Sequence, residues 1–325
     1  MSRIKLKGKK PVGRRNAELF CLCILIPAFA HFIIFNVVMN FNSFLLAFKY
    51  YDYDVKTGVG AQKFYEFKDL FKNFIRFFNE LFVDPDTSKY FINGMIFQLV
   101  DIAAIPVSLM IAYCIYKKFP MTAFYMIVMF LPGILSGMIT ALGFKCFVNS
   151  GLRNTWEFLL NRPRDKFTQP LLSDNAFWIL SLYKFYYAMP GALLVNVGTM
   201  RKIPEELIEY GKLEGMSYAQ EFVYVVLPMM FGLIQISCLG MFAGFLTEAG
   251  PLFAVYGTGQ DVPQSTITFG YYMQASILGS NITGFSPDYM YGYTTAVNLT
   301  IGVVTVPIVW GTKKLFDLFD PEVEY

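Results

Sequence analysis

Apolar residues in this chain gather in long runs separated by polar connectors, with little of the alternation expected of strands. Six runs are long enough to cross a bilayer as helices, which takes about 20 residues. They cover 19–38, 93–116, 121–148, 176–200, 222–246 and 293–310. The pattern predicts an all-α membrane protein of six transmembrane helices. In the connector after the first run, Phe67, Leu70, Phe71, Phe74, Phe78, Leu81 and Phe82 recur at helical spacing, with Lys68, Asp69, Lys72, Arg76 and Glu80 between them. The segment 62–82 is therefore expected to be an amphipathic helix on the protein's outer surface or in the membrane interface. The chain contains no internal repeat and no low-complexity tract.

Lys and Arg near the spans set a direction. They cluster in the tail 1–18 (Arg3, Lys5, Lys7, Lys9, Lys10, Arg14, Arg15), after span two (Lys117, Lys118), after span four (Arg201, Lys202, Lys212) and after span six (Lys313, Lys314). With single crossings these groups share one side, which reads as cytoplasmic with both termini inside. The connector 247–292 has no Lys or Arg, and 49–90 is charged but balanced. The start resembles a cleavable signal, with basic residues, an apolar run and then Ala28-Phe29-Ala30. Because the apolar run continues to Val38, a retained first helix is the expectation. The resulting organisation is a basic tail (1–18), a six-span domain (19–316) and a short cytoplasmic tail (317–325).

Composition removes other classes. Of 325 residues, 55% are apolar and 16% charged, against about 25% charged in a soluble domain. One histidine, His31, lies in an apolar run, so a multi-histidine metal site is impossible. Five cysteines, all in apolar stretches, do not form a disulfide framework. The net charge of +3 gives no nucleic-acid surface.

The connector 203–228 is the most informative. Pro204 suits a helix start, and Glu205 and Glu206 suit its first turn. Gly215 can end that helix in a left-handed conformation. Ser217 and Gln220 have capping-box spacing for a second helix, expected to run on into span five. A short helix, a sharp break and a second helix entering the membrane follow. Its apolar face docks either on a partner or on the chain's own span ends.

Glu209, Gly215 six residues on, and Leu227-Pro228 resemble the EAA loop of binding-protein-dependent ABC importer permeases. The wider string from Ile203-Pro204 through Ser217 and Phe222 to Leu227-Pro228 resembles the carbohydrate-uptake branch. Asn73-Phe74, Asp84, Phe91-Ile92-Asn93-Gly94, Leu131-Pro132 and Gly151-Leu152-Arg153-Asn154 extend the likeness over most of the chain. Departures are Tyr210 and Gly211 for two alanines, Glu214 for an aspartate, and Ala249-Gly250-Pro251 for Gly-Gly-Pro.

The resemblance implies the type I importer permease fold, with 203–220 as a cytoplasmic coupling loop. Glu206, Glu209, Tyr210, Gly211, Leu213, Glu214 and Gly215 would then engage an ATPase subunit. It implies a second permease, in the family pattern a different chain, two ATPase subunits holding ATP and Mg, and an external solute-binding lipoprotein delivering a sugar or oligosaccharide, all in a bacterial cell membrane. This chain has no phosphate-binding G-x-x-x-x-G-K-[ST] loop, so ATP hydrolysis is assigned to the partner and no cofactor to this chain.

Polar groups inside spans face bundle interiors. The candidates are Asp101, Lys145, Lys184, Asn196, Gln235, Asn298 and, at the end of span five, Glu248. Lys184, Tyr187, Ala188 and Gly191 lie at i, i+3, i+4 and i+7, as do Met241, Gly244, Phe245 and Glu248. Both stripes mix small, aromatic and polar residues, as a solute path requires. By offset they resemble the cavity-facing stripes of carbohydrate permeases. Lys184 and Glu248 could instead pair with each other. Asp101 with Lys145 is expected as a structural pair. Gly133 with Gly137 and Gly240 with Gly244 are expected at close helix contacts, and Gln235 and Asn196 in interhelical hydrogen bonds. A stand-alone secondary transporter or channel for a polar solute is the alternative, though it would call for inverted repeats.

Overall fold

The computed structural model describes residues 23, 25–54, 59–152, 170–173, 175–258, 262–279 and 287–319. The basic residues of the tail 1–18, the start of the first span, Arg153-Asn154 and 320–325 lie outside them. Helix α1 (Leu25–Leu46) holds a π-helical stretch at Ile33–Val38 and stands with its apolar surface bare. His31 is exposed there, its ring 4.7 Å from that of Phe35.

The chain then departs from an all-α plan. Strands β1 (Lys49–Asp54) and β2 (Val59–Phe64) form an antiparallel hairpin with Lys49 opposite Phe64 and Tyr53 opposite Gly60. The buried Asn73 amide donates to the carbonyls of Ala47 (2.8 Å) and Lys49 (3.1 Å), holding the hairpin to the next helix. In the amphipathic segment, Phe67–Asp69 is a single 3-10 turn and α2 covers Lys72–Val83. Phe77 is buried against Phe91 and Phe269, whereas Phe67 and Phe82 stay exposed. Arg76 pairs with Glu80 at 2.7 Å, and the Tyr293 hydroxyl donates to Glu80 from another helix.

Two long helices form the spine. Helix α3 (Pro85–Tyr116) starts where Asp84 accepts from the Asp86 N–H and the Thr87 hydroxyl, with Pro85 in the first turn. Helix α6 (Ala176–Met200) packs along it. Asn196 donates to the Ser108 hydroxyl (3.2 Å), which donates to the Met189 carbonyl (3.3 Å). Such interhelical bonds are worth about 0.6 kcal/mol each in a membrane.

The third run, expected as one helix, is two: α4 (Thr122–Ile134) and α5 (Gly137–Cys146). Ser136 is extended and caps α5 by accepting from the Ile139 N–H. Proline at 132 has no N–H for the carbonyl of Val128, and the Tyr186 hydroxyl of α6 donates to that carbonyl at 3.0 Å instead. The fifth run is bent as well. Helix α8 (Tyr218–Met229) and helix α9 (Phe231–Gly244) meet at 68°, with Pro228 beside the bend. A proline removes an intrahelical bond and crowds the preceding turn. The second helix of the 203–228 connector therefore does not continue straight into the membrane.

The expected connector 247–292 is largely core. It contains α10 (Leu252–Tyr256) and α11 (Phe269–Ile277), with Leu252, Phe269, Tyr271 and Ala275 all but fully buried. A Cβ on Gly270 would lie 2.2 Å from the Thr247 carbonyl oxygen, so only glycine permits this approach. Helix α12 (Pro287–Leu318) closes the bundle.

Leu182, Leu194, Ile236, Val303 and Val306 are each about two-thirds or more exposed on these helices. Bare aliphatic surface on that scale calls for lipid as its solvent. Leu25–Leu46, Pro85–Tyr116 and Asp288–Phe319 are long and apolar enough to span by themselves, and the bent pair α8–α9 makes a fourth.

Candidate functional site

The connector after α6 folds as a lever-shaped element. Helix α7 covers Glu205–Leu213; Pro204, expected as the first helical residue, is its N-cap instead. Its end is a complete Schellman motif: Gly215 N–H bonds the Lys212 carbonyl (3.1 Å) and Met216 N–H bonds that of Gly211 (2.9 Å). Gly215 sits at φ +75° with open space around it, so the backbone alone demands glycine. Ser217 and Gln220 then form both halves of the capping box.

One face of α7 is fixed and the other free. Ile203, Ile208 and Gly211 are buried in a core with Leu109, Met200 and Val226, and the Met216 sulfur packs on Gly211. Glu206, Glu209, Tyr210, Leu213, Glu214 and Gly215 are exposed, Leu213 by 83% and Tyr210 by 68%. The chain's own span ends take one face, and the other is bare among the described residues.

A buried ion pair anchors the second limb. Lys117, at the end of α3, meets Glu221 in the first turn of α8, with side chains only 12% and 5% exposed. The Tyr113 hydroxyl donates to the Tyr218 carbonyl at 3.2 Å. Sequence reading treated Lys117 only as an orientation charge and gave Glu221 no role. An acid in a helix's first turn is commonplace, so only burial marks it.

A charged cluster occupies the middle of the bundle. Lys184 of α6 lies 3.0 Å from an Asp101 oxygen of α3 and 2.7 Å from a Glu248 oxygen just past α9. The same Glu248 oxygen accepts from the Gly250 N–H at 2.7 Å. Asp101 does not pair with Lys145, contrary to expectation. The break at Ser136 redirects α5, and Lys145 donates to the Val255 carbonyl (3.2 Å) over the Tyr256 ring.

Two cavities flank the cluster. One, of about 330 Å³, is lined by Asp101, Tyr183, Lys184, Tyr187, Ala188 and Glu248, among others. The second, of about 310 Å³, shares Asp101 and Ala188 and adds Ser108, Gly191, Asn196, Ser237 and Met241. Six of the eight residues in the two sequence stripes line these cavities. Gly244, the last residue of α9, and Phe245 line neither.

Gly240 and Gly244 also lack the expected close contact, whereas Gly133 and Gly137 abut Pro190 and Tyr187 of α6. Asn196 makes its interhelical bond, and Gln235 donates to Asp317 of α12 at 2.9 Å. Asn298 lines a separate groove between α9 and α12. No group of three His, Cys, Asp or Glu able to hold a metal occurs among the described residues.

The lipid-facing bundle thus holds a buried charge cluster, two central cavities and a sharply bent connector. No family model matches the sequence. The chain is 23% identical over 300 residues to the probable ABC transporter permease protein YurN of Bacillus subtilis (strain 168), covering 90% of this chain and 94% of that protein. It is 26% identical over 220 residues to the multiple sugar-binding transport system permease protein MsmF of Streptococcus mutans, covering 66% and 71%.

Two solved structures share the fold at 15% identity. One is a bacterial ABC transporter involved in import of the acidic polysaccharide alginate, with TM-score 0.68 and coverage of 93% and 96%. The other is a bacterial alginate ABC transporter in complex with an alginate pentasaccharide-bound periplasmic protein, with TM-score 0.69 and coverage of 96% and 99%. The chain is thus similar in sequence to ABC transporter permeases, a sugar system among them, and shares the fold of the alginate transporter chains.

Proposed function

We propose that this chain is one of two permease subunits of an ATP-driven importer for a sugar or oligosaccharide. An external solute-binding lipoprotein hands the solute to the end of the bundle that bears the hairpin and α11. The opposite end, with both termini, faces the cytoplasm of a bacterial cell. There α7 lies in a groove of an ATPase subunit, which holds ATP and Mg and does the hydrolysis. Closure of two such subunits pushes on Glu206, Glu209, Tyr210, Leu213 and Glu214. Gly215 and the buried Gly211 keep the two limbs of the connector at a fixed angle.

The observation that carries this reading is the split character of α7. Its base is cemented into the core through Ile203, Ile208 and Gly211, while Tyr210 and Leu213 offer apolar surface to nothing among the described residues. Lys184, Tyr187, Ala188, Gly191, Met241 and Glu248 form this subunit's share of the solute path. Support for a saccharide comes from the sugar and alginate systems among the relatives.

Copurification tests the assembly. An ATPase subunit and a second permease should come down with the tagged chain. Glu209→Lys or Gly215→Pro should abolish ATP-dependent uptake while the chain still inserts. Normal uptake by either variant removes the coupling role.

A further inference from the structure

We infer that this subunit's share of the path is built for an uncharged saccharide and rejects acidic ones; the inference rests on the importer reading above. Lys184 is the only cation among the described residues lining either cavity, and it is already committed to two carboxylates. At formal ionisation the cluster carries one net negative charge. An acidic sugar entering the first cavity finds no free cation. It must approach Asp101 and Glu248, and like charges in a poorly hydrated cleft repel strongly.

An uncharged saccharide meets the opposite situation. Each carboxylate uses one oxygen on Lys184. Asp101 Oδ1 and Glu248 Oε2 have no protein donor among the described residues, so both can accept hydroxyl donors. The rings of Tyr183 and Tyr187 stack at 5.8 Å and 20°, and both line this cavity, giving a flat apolar wall for a sugar's C–H face. Beyond the shared Asp101, the second cavity continues the path with neutral polar groups, namely Ser108, Asn196 and Ser237. The alginate importer of the same fold handles an acidic polymer. The bundle architecture therefore does not dictate solute charge, and the lining residues must.

The test places a thiol at Ala188, which lines both cavities, in a background with the native cysteines replaced. None of the described cysteines lines either cavity. The assembled transporter, with its partner permease and ATPases, is labelled with a glucose-linked and a glucuronate-linked methanethiosulfonate. The rate ratio is corrected by that for a free thiol.

The neutral reagent should react at least about tenfold faster, the low end of what a single-sign cleft achieves. Neutralising both acids in Asp101→Asn/Glu248→Gln, with Lys184 kept, should bring the ratio to one or invert it. Equal rates in the parent overturn the charge inference whether or not the double variant assembles. The importer reading fails by a different sign: ATP and vanadate leave the labelling rate of the introduced thiol unchanged.

Discussion

Glu221→Gln is the perturbation that most directly tests how the connector is tied to the bundle. It leaves Lys117 with its charge and only 12% of its side chain in contact with solvent. Removing one partner of a buried pair costs about 3–5 kcal/mol, because the remaining ion stays desolvated. Two features lower that figure. Lys117 lies 5.8 Å and 5.7 Å from the ring centroids of Tyr113 and Tyr116, each a cation–π contact worth about 0.5–1 kcal/mol. Its flexible stem can also carry the ammonium outward.

The net expectation is about 2–3 kcal/mol, read as a lowered unfolding midpoint of the assembled transporter in nanodiscs by intrinsic fluorescence. A buried pair is weakly screened, so the loss should persist at 1 M salt. Lys117→Glu/Glu221→Lys should recover most of it. An unchanged midpoint in Glu221→Gln, or a swapped pair no better than the single change, would refute the anchoring role.

Other substitutions give graded outcomes. Gly215→Ala should cost about 1 kcal/mol from its left-handed backbone alone, and Gly215→Asn less, a ranking readable in the same melts. Asn196→Ala should cost no more than about 1.7 kcal/mol, the upper end for membrane hydrogen bonds, and so less than Glu221→Gln. Tyr186→Phe should leave the Val128 carbonyl unpaired and cost about 1 kcal/mol, with hydrogen exchange rising locally in α4. Lys184→Met should abolish uptake in proteoliposomes and destabilise the bundle; adding both Asp101→Asn and Glu248→Gln should restore stability without uptake.

The parts of the fold legible in sequence are those fixed by unbroken apolar runs. The helix 176–200 was delimited to the residue, and the runs 93–116 and 293–310 are the inner parts of α3 and α12. What escaped was local and three-dimensional. The hairpin's Lys-Tyr-Tyr-Asp-Tyr-Asp lacks the clean alternation of a half-buried strand. The breaks at Ser136 and Met230 sit beside prolines within otherwise continuous apolar stretches, and hydropathy does not distinguish a broken span from a whole one. The connector 203–220 was readable in detail because capping chemistry is written locally, in Gly215, Ser217 and Gln220.

The stripe on α6 lines the cavities together because α6 is one uninterrupted helix through Pro190. Of the second stripe, Met241 and Glu248 line them and Gly244 and Phe245 do not. The pairing of Asp101 with Lys184 required knowing that α3 and α6 lie side by side, which spacing along the chain does not reveal.

Helix α3 holds Asp101 and ends against Lys117. Sixteen residues separate the two, about 24 Å at the helical rise. A rod gripped at its middle and at one end through opposite charges converts rotation into displacement. Pivoting by about 5° around the Lys117 end carries Asp101 sideways by about 2 Å, enough to part it from an ammonium 3.0 Å away. A small rocking at one face of the membrane could thus unlock the latch halfway across it, with no side chain in between needing to change its rotamer.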